Sequence, residues 1–144
     1  MLEIRHPKSV PWQEAMPQRQ GETELAIHLK VVFSDPERMV TYTRYDPGLV
    51  VAPHSHDGVE VIYVLEGSML IDGVACEHGT LIVLDGDSTI GPIVAGDEGT
   101  VLLEIFEGRE SWLPRPAPSN DAYEKLVRDR RITEMPGAGR AEKR

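Results

Sequence analysis

The chain has 144 residues, a net charge of −9 at pH 7 and one cysteine, Cys76. This length predicts one domain with one core, and a lone cysteine excludes an internal disulfide. Residues 46–107 include twelve acidic residues and no lysine or arginine, which argues against nucleic-acid binding, because basic contacts to phosphates supply most of that affinity. No apolar run has the ~18 residues of a membrane span, and residues 1–20 lack the apolar block of a signal peptide, so we expect a cytoplasmic protein with no membrane partner.

Residues 1–23 are rich in proline and glutamine and contain Trp12. We predict an extended N-terminal arm here. From residue 24 to 108, short runs of β-branched and aromatic residues alternate with turn signals such as Asp72-Gly73, at roughly ten-residue spacing and with no helical period. This pattern indicates an all-β antiparallel sandwich or barrel. The predicted strands are 24–33, 39–45, 59–65, 68–71, 74–76, 80–84, 88–94 and 100–106.

The composition changes after Gly108, where Trp112 and three prolines form a C-terminal extension, 109–144. Ser119-Asn120-Asp121 is a helix-start signal, which predicts one short helix up to Arg130. Beyond Ile132 the glycine-, alanine- and arginine-rich sequence is predicted to be a disordered tail. The expected organisation is therefore an arm over 1–23, a barrel over 24–108 and this extension.

Two histidines and a glutamate lie within seven residues, as His54-Ser-His56-Asp-Gly-Val-Glu60. In a β-strand, side chains two positions apart project from the same face, about 7 Å apart along the chain, so both imidazoles can reach one ion. Asp57-Gly58 favours a turn that would bring Glu60 back beside them. Two imidazoles and a carboxylate suit a divalent transition metal: Fe, Mn, Ni, Zn or Co.

Glycines bracket this cluster, and Gly48, His54, His56, Glu60 and Gly67 fit a longer pattern: Gly, five residues, His-x-His, three residues, Glu, six residues, Gly. This pattern resembles that of the cupin family, whose first signature has the same spacing. The resemblance implies a double-stranded β-helix, the jelly-roll or cupin barrel, with a metal inside it. It assigns His54, His56 and Glu60 as metal ligands and names no separate catalytic residue.

The second cupin signature is incomplete. It reads Gly, five residues, Pro-x-Gly, two residues and a histidine that is normally the remaining ligand, whereas this chain has Gly79, then Asp85-Gly-Asp87, and Ile90 at the histidine position. Either three protein ligands suffice, or another group substitutes, or the metal has been lost. The possible substitutes are His78, Asp87 and Glu104. We expect His78 to be a loop residue, Asp87 to be solvated and Glu104 to point outward from its strand.

The leading hypothesis for function is a metal-dependent enzyme acting on a small organic molecule, since small cupins that resemble this chain include dioxygenases of diketones and related carbonyl compounds. The alternative is a non-catalytic module that binds a metal or a small ligand. A sugar-nucleotide isomerase or epimerase is disfavoured, because the barrel sequence lacks basic residues for a diphosphate.

Other residues have expected roles away from the metal. Cys76 is expected to be a small buried hydrophobe, and His28 a structural or surface residue without a ligand partner. Alternation from Glu60 predicts Ile62 inside the barrel and Tyr63 outside. Because 59–65 and 80–84 are apolar on both faces, the outer face needs a cover, which could be the N-terminal arm with Trp12, the C-terminal segment with Trp112 or a second subunit. We predict a homodimer in which the sheets pack on each other and one terminal arm reaches across.

Overall fold

A computed structural model describes residues 1–133 of the chain. The predicted tail therefore lies outside the described residues, apart from its first position. Pro7–Ser9 form a turn of 3₁₀ helix, and one α-helix, α1, spans Asp121–Arg130. The strands are β1 (Gln13–Gln20), β2 (Thr23–Asp35), β3 (Arg38–Tyr45), β4 (Val50–Val51), β5 (His54–Ser55), β6 (Val59–Ile71), β7 (Val74–Glu77), β8 (Leu81–Leu84), β9 (Ile93–Glu107) and β10 (Arg115–Pro116).

All strand pairs are antiparallel, and eight strands form one sheet in the order β1-β2-β3-β9-β6-β7, with β4 joined to β9 and β8 joined to β6. The remaining strands, β5 and β10, pair with each other. The predicted all-β fold, a cupin jelly roll with a short C-terminal helix, is confirmed. Within residues 1–133, no helix has both the length and the apolar character of a membrane span.

The strands β6 and β9 are longer than the sequence predicted. β6 contains the predicted strands 59–65 and 68–71, whereas β9 joins the last two residues of the predicted strand 88–94 to the predicted strand 100–106. Their shared ladder is interrupted near Val64 and Gly67, where the register shifts. Gly67 has a φ of +73°, and a Cβ there would lie 2.1 Å from the Gly99 carbonyl oxygen. Gly67 and Gly99 thus allow the two strands to bend and to approach each other closely, where residues with a side chain would interrupt the strands.

The cross-strand register separates an inner from an outer face, because directly opposed residues point to the same side. On the inner face, Thr41 of β3 opposes Glu104 of β9, which opposes Ile62 of β6. Ile62 is buried in the main core whereas Tyr63 is 39% exposed, as alternation predicted. The inner face of these strands therefore forms the walls of the barrel.

Residues predicted to be an extended arm contribute a strand of the main sheet. β1 pairs with β2 over most of its length. The buried side chain of Gln18 accepts a hydrogen bond from the Val50 amide and donates one to the Val50 carbonyl, at 3.0 and 2.7 Å. The run Gln-Glu-Ala-Met-Pro-Gln-Arg-Gln shows little strand propensity, and these tertiary hydrogen bonds outweigh it. Further upstream, Trp12 lies under the cations of Lys30 and Arg44, each 4.8 Å from its ring.

The C-terminal helix begins where the sequence predicted. The Asn120 side chain accepts a 2.8 Å hydrogen bond from the Tyr123 amide, which caps the helix. Tyr123 packs with Val50 and Ala52 in a second, smaller core. This packing covers the outer side of the chain just before the His54–His56 cluster.

Candidate metal centre

The two predicted ligand histidines lie side by side inside the protein. Both are buried, and their ring centroids are 5.1 Å apart with planes at 83°. His54 belongs to β5 and pairs with Ile90 through backbone hydrogen bonds. The prediction that both imidazoles project from the same side of the chain is confirmed, since both line the same cavity.

Each imidazole is oriented by a backbone carbonyl. His54 Nδ1 lies 2.8 Å from the Ala52 oxygen, and His56 Nδ1 lies 2.8 Å from the Ser111 oxygen. Because a carbonyl oxygen only accepts, each Nδ1 must carry the hydrogen, and each Nε2 keeps a lone pair. Burial lowers the pKa of both histidines, although these hydrogen bonds and the Glu104 charge oppose the effect. Two neutral imidazoles with free Nε2 atoms are the form that binds metals.

Glu60 supplies a deeply buried carboxyl beside them. It is 2% exposed, and its Oε1 lies 3.6 Å from His56 Nε2 with no hydrogen-bond partner among the described residues. Burial raises the pKa of Glu60 well above its usual range, and a hydrogen bond to Glu104 and the Glu104 charge raise it further. The turn at Asp57-Gly58 does bring Glu60 back to the histidines, as predicted.

Glu104 was expected to point outward, and this expectation is wrong. The residue is 8% exposed and lines the cavity with both histidines. The Thr43 hydroxyl donates a 2.5 Å hydrogen bond to Glu104 Oε1. Because buried polar groups need hydrogen-bond partners, this contact helps the carboxyl to be buried on the inner face of the sheet. The other candidate substitutes, His78 and Asp87, are exposed as expected. Glu104 is therefore the candidate that the fold brings to the site.

The remaining histidine and cysteine predictions are confirmed. His28 lies on β2 outside the cavity lining, with its Nε2 3.1 Å from Asp46 Oδ1. Cys76 is buried in the main core, and desolvation raises the pKa of its thiol. Neither residue contributes to the candidate centre.

A cavity of about 120 Å³ opens onto the histidines. Among the residues described, no lysine or arginine lines it. Its polar lining is Thr41, Thr43, Tyr45, His54, His56 and Glu104. Its apolar lining is Met16, Ile27, Leu29, Met39, Val51, Phe106, Trp112 and Pro114. The cavity thus combines a mainly apolar lining with a few polar groups, as small-molecule sites usually do.

Residues 3–108 match the family model described as the ChrR cupin-like domain. The chain belongs to this cupin family. Among curated proteins, the sequence search found no match.

Solved structures with the same fold share little sequence with this cupin. The polyketide cyclase RemF from Streptomyces resistomycificus has 22% identity and a TM-score of 0.62, covering 86% of this chain and 92% of its own. KdgF from Halomonas sp. has 21% identity and a TM-score of 0.58, covering 78% and 100%. A chain in the complex of SigE with the anti-sigma ChrR from Rhodobacter sphaeroides has 17% identity and a TM-score of 0.55, covering 71% and 51%. These likenesses concern the fold.

A segment that sequence reasoning did not assign to the site closes one side of it in this cupin. Arg115 of β10 pairs with Ser55 of β5, and the Ala117 amide donates a 3.1 Å hydrogen bond to the Pro53 carbonyl. Trp112 and Pro114 consequently reach the cavity, and Ser111 reaches His56. The isolated tryptophan among prolines was a signal that this segment covers something, but its position depends on long-range pairing.

The donor set suits a metal ion, although its atoms are not gathered around one point. Within residues 1–133, no group of three or more His, Cys, Asp or Glu side chains has the arrangement of a ready-made metal site. The fit rests instead on the two Nε2 atoms and on the buried Glu60 Oε1, for which the described part of the chain supplies no hydrogen-bond partner. A buried carboxylate without a partner is costly unless a proton or a cation neutralises it. Cupins often bind metals, and this site has the chemistry to do so.

Proposed function

We propose that this cupin is a metal-dependent enzyme that acts on a small organic molecule, with His54, His56 and Glu60 holding a divalent transition metal. One observation carries the proposal. Both imidazoles commit Nδ1 to backbone carbonyls and, among residues 1–133, keep Nε2 free next to a buried carboxyl oxygen that has no hydrogen-bond partner there. Metal-binding histidines in proteins are held in this way.

Fe, Mn, Ni, Zn and Co are all compatible with imidazole and carboxylate ligands. When bound, such an ion would polarise a substrate oxygen and act as a template for the reaction. The chain's own residues orient and confine the substrate. Burial raises the pKa of Tyr45 well above its usual range, and the neighbouring Glu104 and Glu60 carboxyls add to the effect, so its hydroxyl in the cavity lining stays protonated.

The cavity supports a small, largely apolar substrate with one or two oxygen atoms. Most of its lining is aliphatic and aromatic, and its polar groups are hydroxyls, two imidazoles and the Glu104 carboxyl, with no lysine or arginine among the described residues. Phosphorylated substrates are disfavoured, because this lining offers no lysine or arginine to pair with a phosphate group. Diketones and phenolic acids are the classes to test first, and a dioxygenase reaction is the first activity to measure.

A second candidate function is a non-catalytic module that binds a metal or small ligand. Ile90 occupies the position of the usual fourth ligand and is buried in the core. The family description names ChrR, which one solved structure contains as an anti-sigma bound to SigE. These two observations favour a binding role in which catalysis is absent.

Metal analysis of the purified full-length protein tests the site. We expect one divalent transition metal per chain or somewhat less in the wild type, and none in His56→Ala. The matched control is His78→Ala, because His78 is exposed and outside the cavity. Equal metal contents in wild type and His56→Ala would overturn the proposal.

Oxygen uptake with a panel of diketones and phenolic acids separates the two functions. Turnover by the metal-loaded wild type that His56→Ala abolishes would support the enzyme. Tight binding of a panel compound to the metal-loaded protein without oxygen uptake or product would instead support the binding module.

A further inference from the structure

The metal site that we propose lacks a donor on one side. The imidazole of the second cupin signature is replaced by Ile90, whose buried side chain lies beside His54. Isoleucine cannot donate a lone pair, so the fourth protein ligand must come from another strand if there is one.

The register of the sheet brings the carboxyl of Glu104 to the side of the barrel where Glu60 and the histidines lie. Glu60 of β6 opposes Phe106 of β9, and Ile62 of β6 opposes Glu104. Glu60 and Glu104 are therefore diagonal neighbours on the inner face of adjacent strands, within reach of each other. Glu104 also lines the cavity that both histidines line. It is thus the second buried carboxyl of one four-residue cluster.

Two threonines orient Glu104. The Thr43 hydroxyl lies 2.5 Å from Glu104 Oε1, and the Thr41 hydroxyl lies 3.2 Å from that of Thr43. Because a carboxylate oxygen only accepts, Thr43 donates to Glu104, and its own oxygen is left to accept from Thr41. All three side chains are buried. This chain of hydrogen bonds fixes one oxygen of the Glu104 carboxylate, and the Glu60 carboxyl lies against the same group.

Charge balance points the same way. When both carboxyls are deprotonated they carry two negative charges, which a divalent cation would neutralise completely between neutral imidazoles. Glu60 Oε1 has no hydrogen-bond partner in the described residues, so this oxygen could bind an ion without breaking a hydrogen bond. A single carboxylate would leave the bound ion with a net positive charge inside the barrel.

We propose that Glu104 is the fourth protein ligand of the metal, in place of the missing histidine, and that Thr43 is the positioning residue that holds it. This inference rests on the proposed function. It predicts a site of two imidazoles and two carboxylates, whose extra oxygen donor shifts its preference toward harder ions such as Mn(II).

Titration of metal-free protein with Mn(II) and Co(II), in competition with a chromophoric chelator, tests the proposal. We expect Glu104→Gln to weaken both metals by about 100-fold, and Thr43→Val by about 10-fold, in line with the effects of ligand-supporting groups. Thr43→Ser, which keeps the hydroxyl, should bind like wild type. The matched control is Glu107→Gln, three residues further along β9 and exposed.

The absorption spectrum of the Co(II) protein gives a second readout that does not depend on activity. Loss of one carboxylate ligand should change the intensity of the visible bands in Glu104→Gln but not in Glu107→Gln. Circular dichroism and thermal melting establish that each variant is folded, and Thr43→Val remains informative if Glu104→Gln does not fold.

The outcomes separate this inference from the function on which it rests. Failure of the wild type to bind either metal would overturn the proposed function. Metal binding that His56→Ala abolishes, together with unchanged affinity and spectrum in Glu104→Gln, would overturn only the role of Glu104.

Discussion

His54 and Ile90 exchange two backbone hydrogen bonds, His54 N to Ile90 O at 3.0 Å and Ile90 N to His54 O at 2.8 Å. Residues paired in this way across antiparallel segments point their side chains to the same side. Ile90 is buried in the main core while His54 lines the cavity. The register counted from the sequence therefore matches the fold, and the position of the absent histidine adjoins His54, one of the proposed metal ligands.

Substitution of Ile90 by histidine should raise metal affinity about 10-fold or more, because it adds an imidazole next to His54. In metal-free protein the same change should lower stability, since it buries a polar ring in an apolar place. Mn(II) and Co(II) competition titrations measure the affinity. Thr89→His, one residue earlier and exposed, is the control. Equal affinities in both variants would show that the side chain at position 90 does not reach the metal.

Glu60→Gln should stabilise the metal-free protein at neutral and alkaline pH while removing metal binding. The pKa of Glu60 is raised well above 4.5, so the folded state keeps this proton to a higher pH than the unfolded state does. The stability that this supplies is full below the ordinary pKa and falls as pH rises toward the raised pKa, by up to about 1.4 kcal/mol per pH unit within that window. Glutamine has no such loss, so the variant should be more stable than the wild type at pH 8.

Urea denaturation of chelator-treated protein at pH 6, 7 and 8 checks this expectation. His54 and His56 contribute in the opposite direction, because their lowered pKa values make protonation destabilising as pH falls below about 6.5. The stability advantage of Glu60→Gln over the wild type should grow as pH rises, until the pH exceeds the raised pKa of Glu60. A wild type that is as stable as Glu60→Gln at all three pH values would contradict a raised pKa at Glu60.

Gly67→Ala should destabilise the fold more than Gly79→Ala. Both glycines have positive φ, +73° and +88°, and alanine in that region costs about 1–2 kcal/mol. A Cβ at Gly67 would also lie 2.1 Å from the Gly99 oxygen, whereas nothing lies within 4 Å at Gly79. The steric overlap should add about 1–3 kcal/mol at Gly67. Similar midpoints of urea denaturation for the two variants would mean that the strands separate freely at this bend.

The outer face of the sheet carries a band of apolar side chains that favours a homodimer. Two cross-strand rows form it, each running over β3, β9, β6 and β8, and Leu81 at its edge is 60% exposed. Burial of this band against the same surface of a second copy would remove it from water. The rows are Val40, Ile105, Val61 and Val83, and Tyr42, Leu103, Tyr63 and Leu81.

Light scattering at micromolar concentration should give twice the chain mass of 16.0 kDa. Leu81→Lys should shift the protein toward the monomer, because it places a charge in the apolar band that the dimer would bury. Val74→Lys is the control, since Val74 is 65% exposed on β7, outside the two rows. A wild type that has the monomer mass would refute the dimer and leave the outer band facing solvent.

The sequence by itself determined the fold class and the first three candidate ligands. Short strands with alternating side chains and Asp-Gly turns are local properties of the sequence. The spacing of His54, His56 and Glu60 within seven residues is local as well. Local backbone geometry suffices to place such residues, so the hairpin at Asp72-Gly73, the inward Ile62 and the cap at Asn120 were predicted correctly.

Only the tertiary structure decided which way Glu104 points. Its strand reads Val-Leu-Leu-Glu-Ile-Phe, apolar at both parities, so alternation alone could not distinguish the two faces. The register of β9 with β3 and β6 makes the choice, and the hydrogen bond from Thr43, sixty-one residues away in sequence, makes burial of the carboxyl possible. The same holds for Ser111 at His56, Gln18 at Val50 and Trp112 at the cavity. Each of these contacts joins distant segments, and their geometry exists only once the sheet has formed.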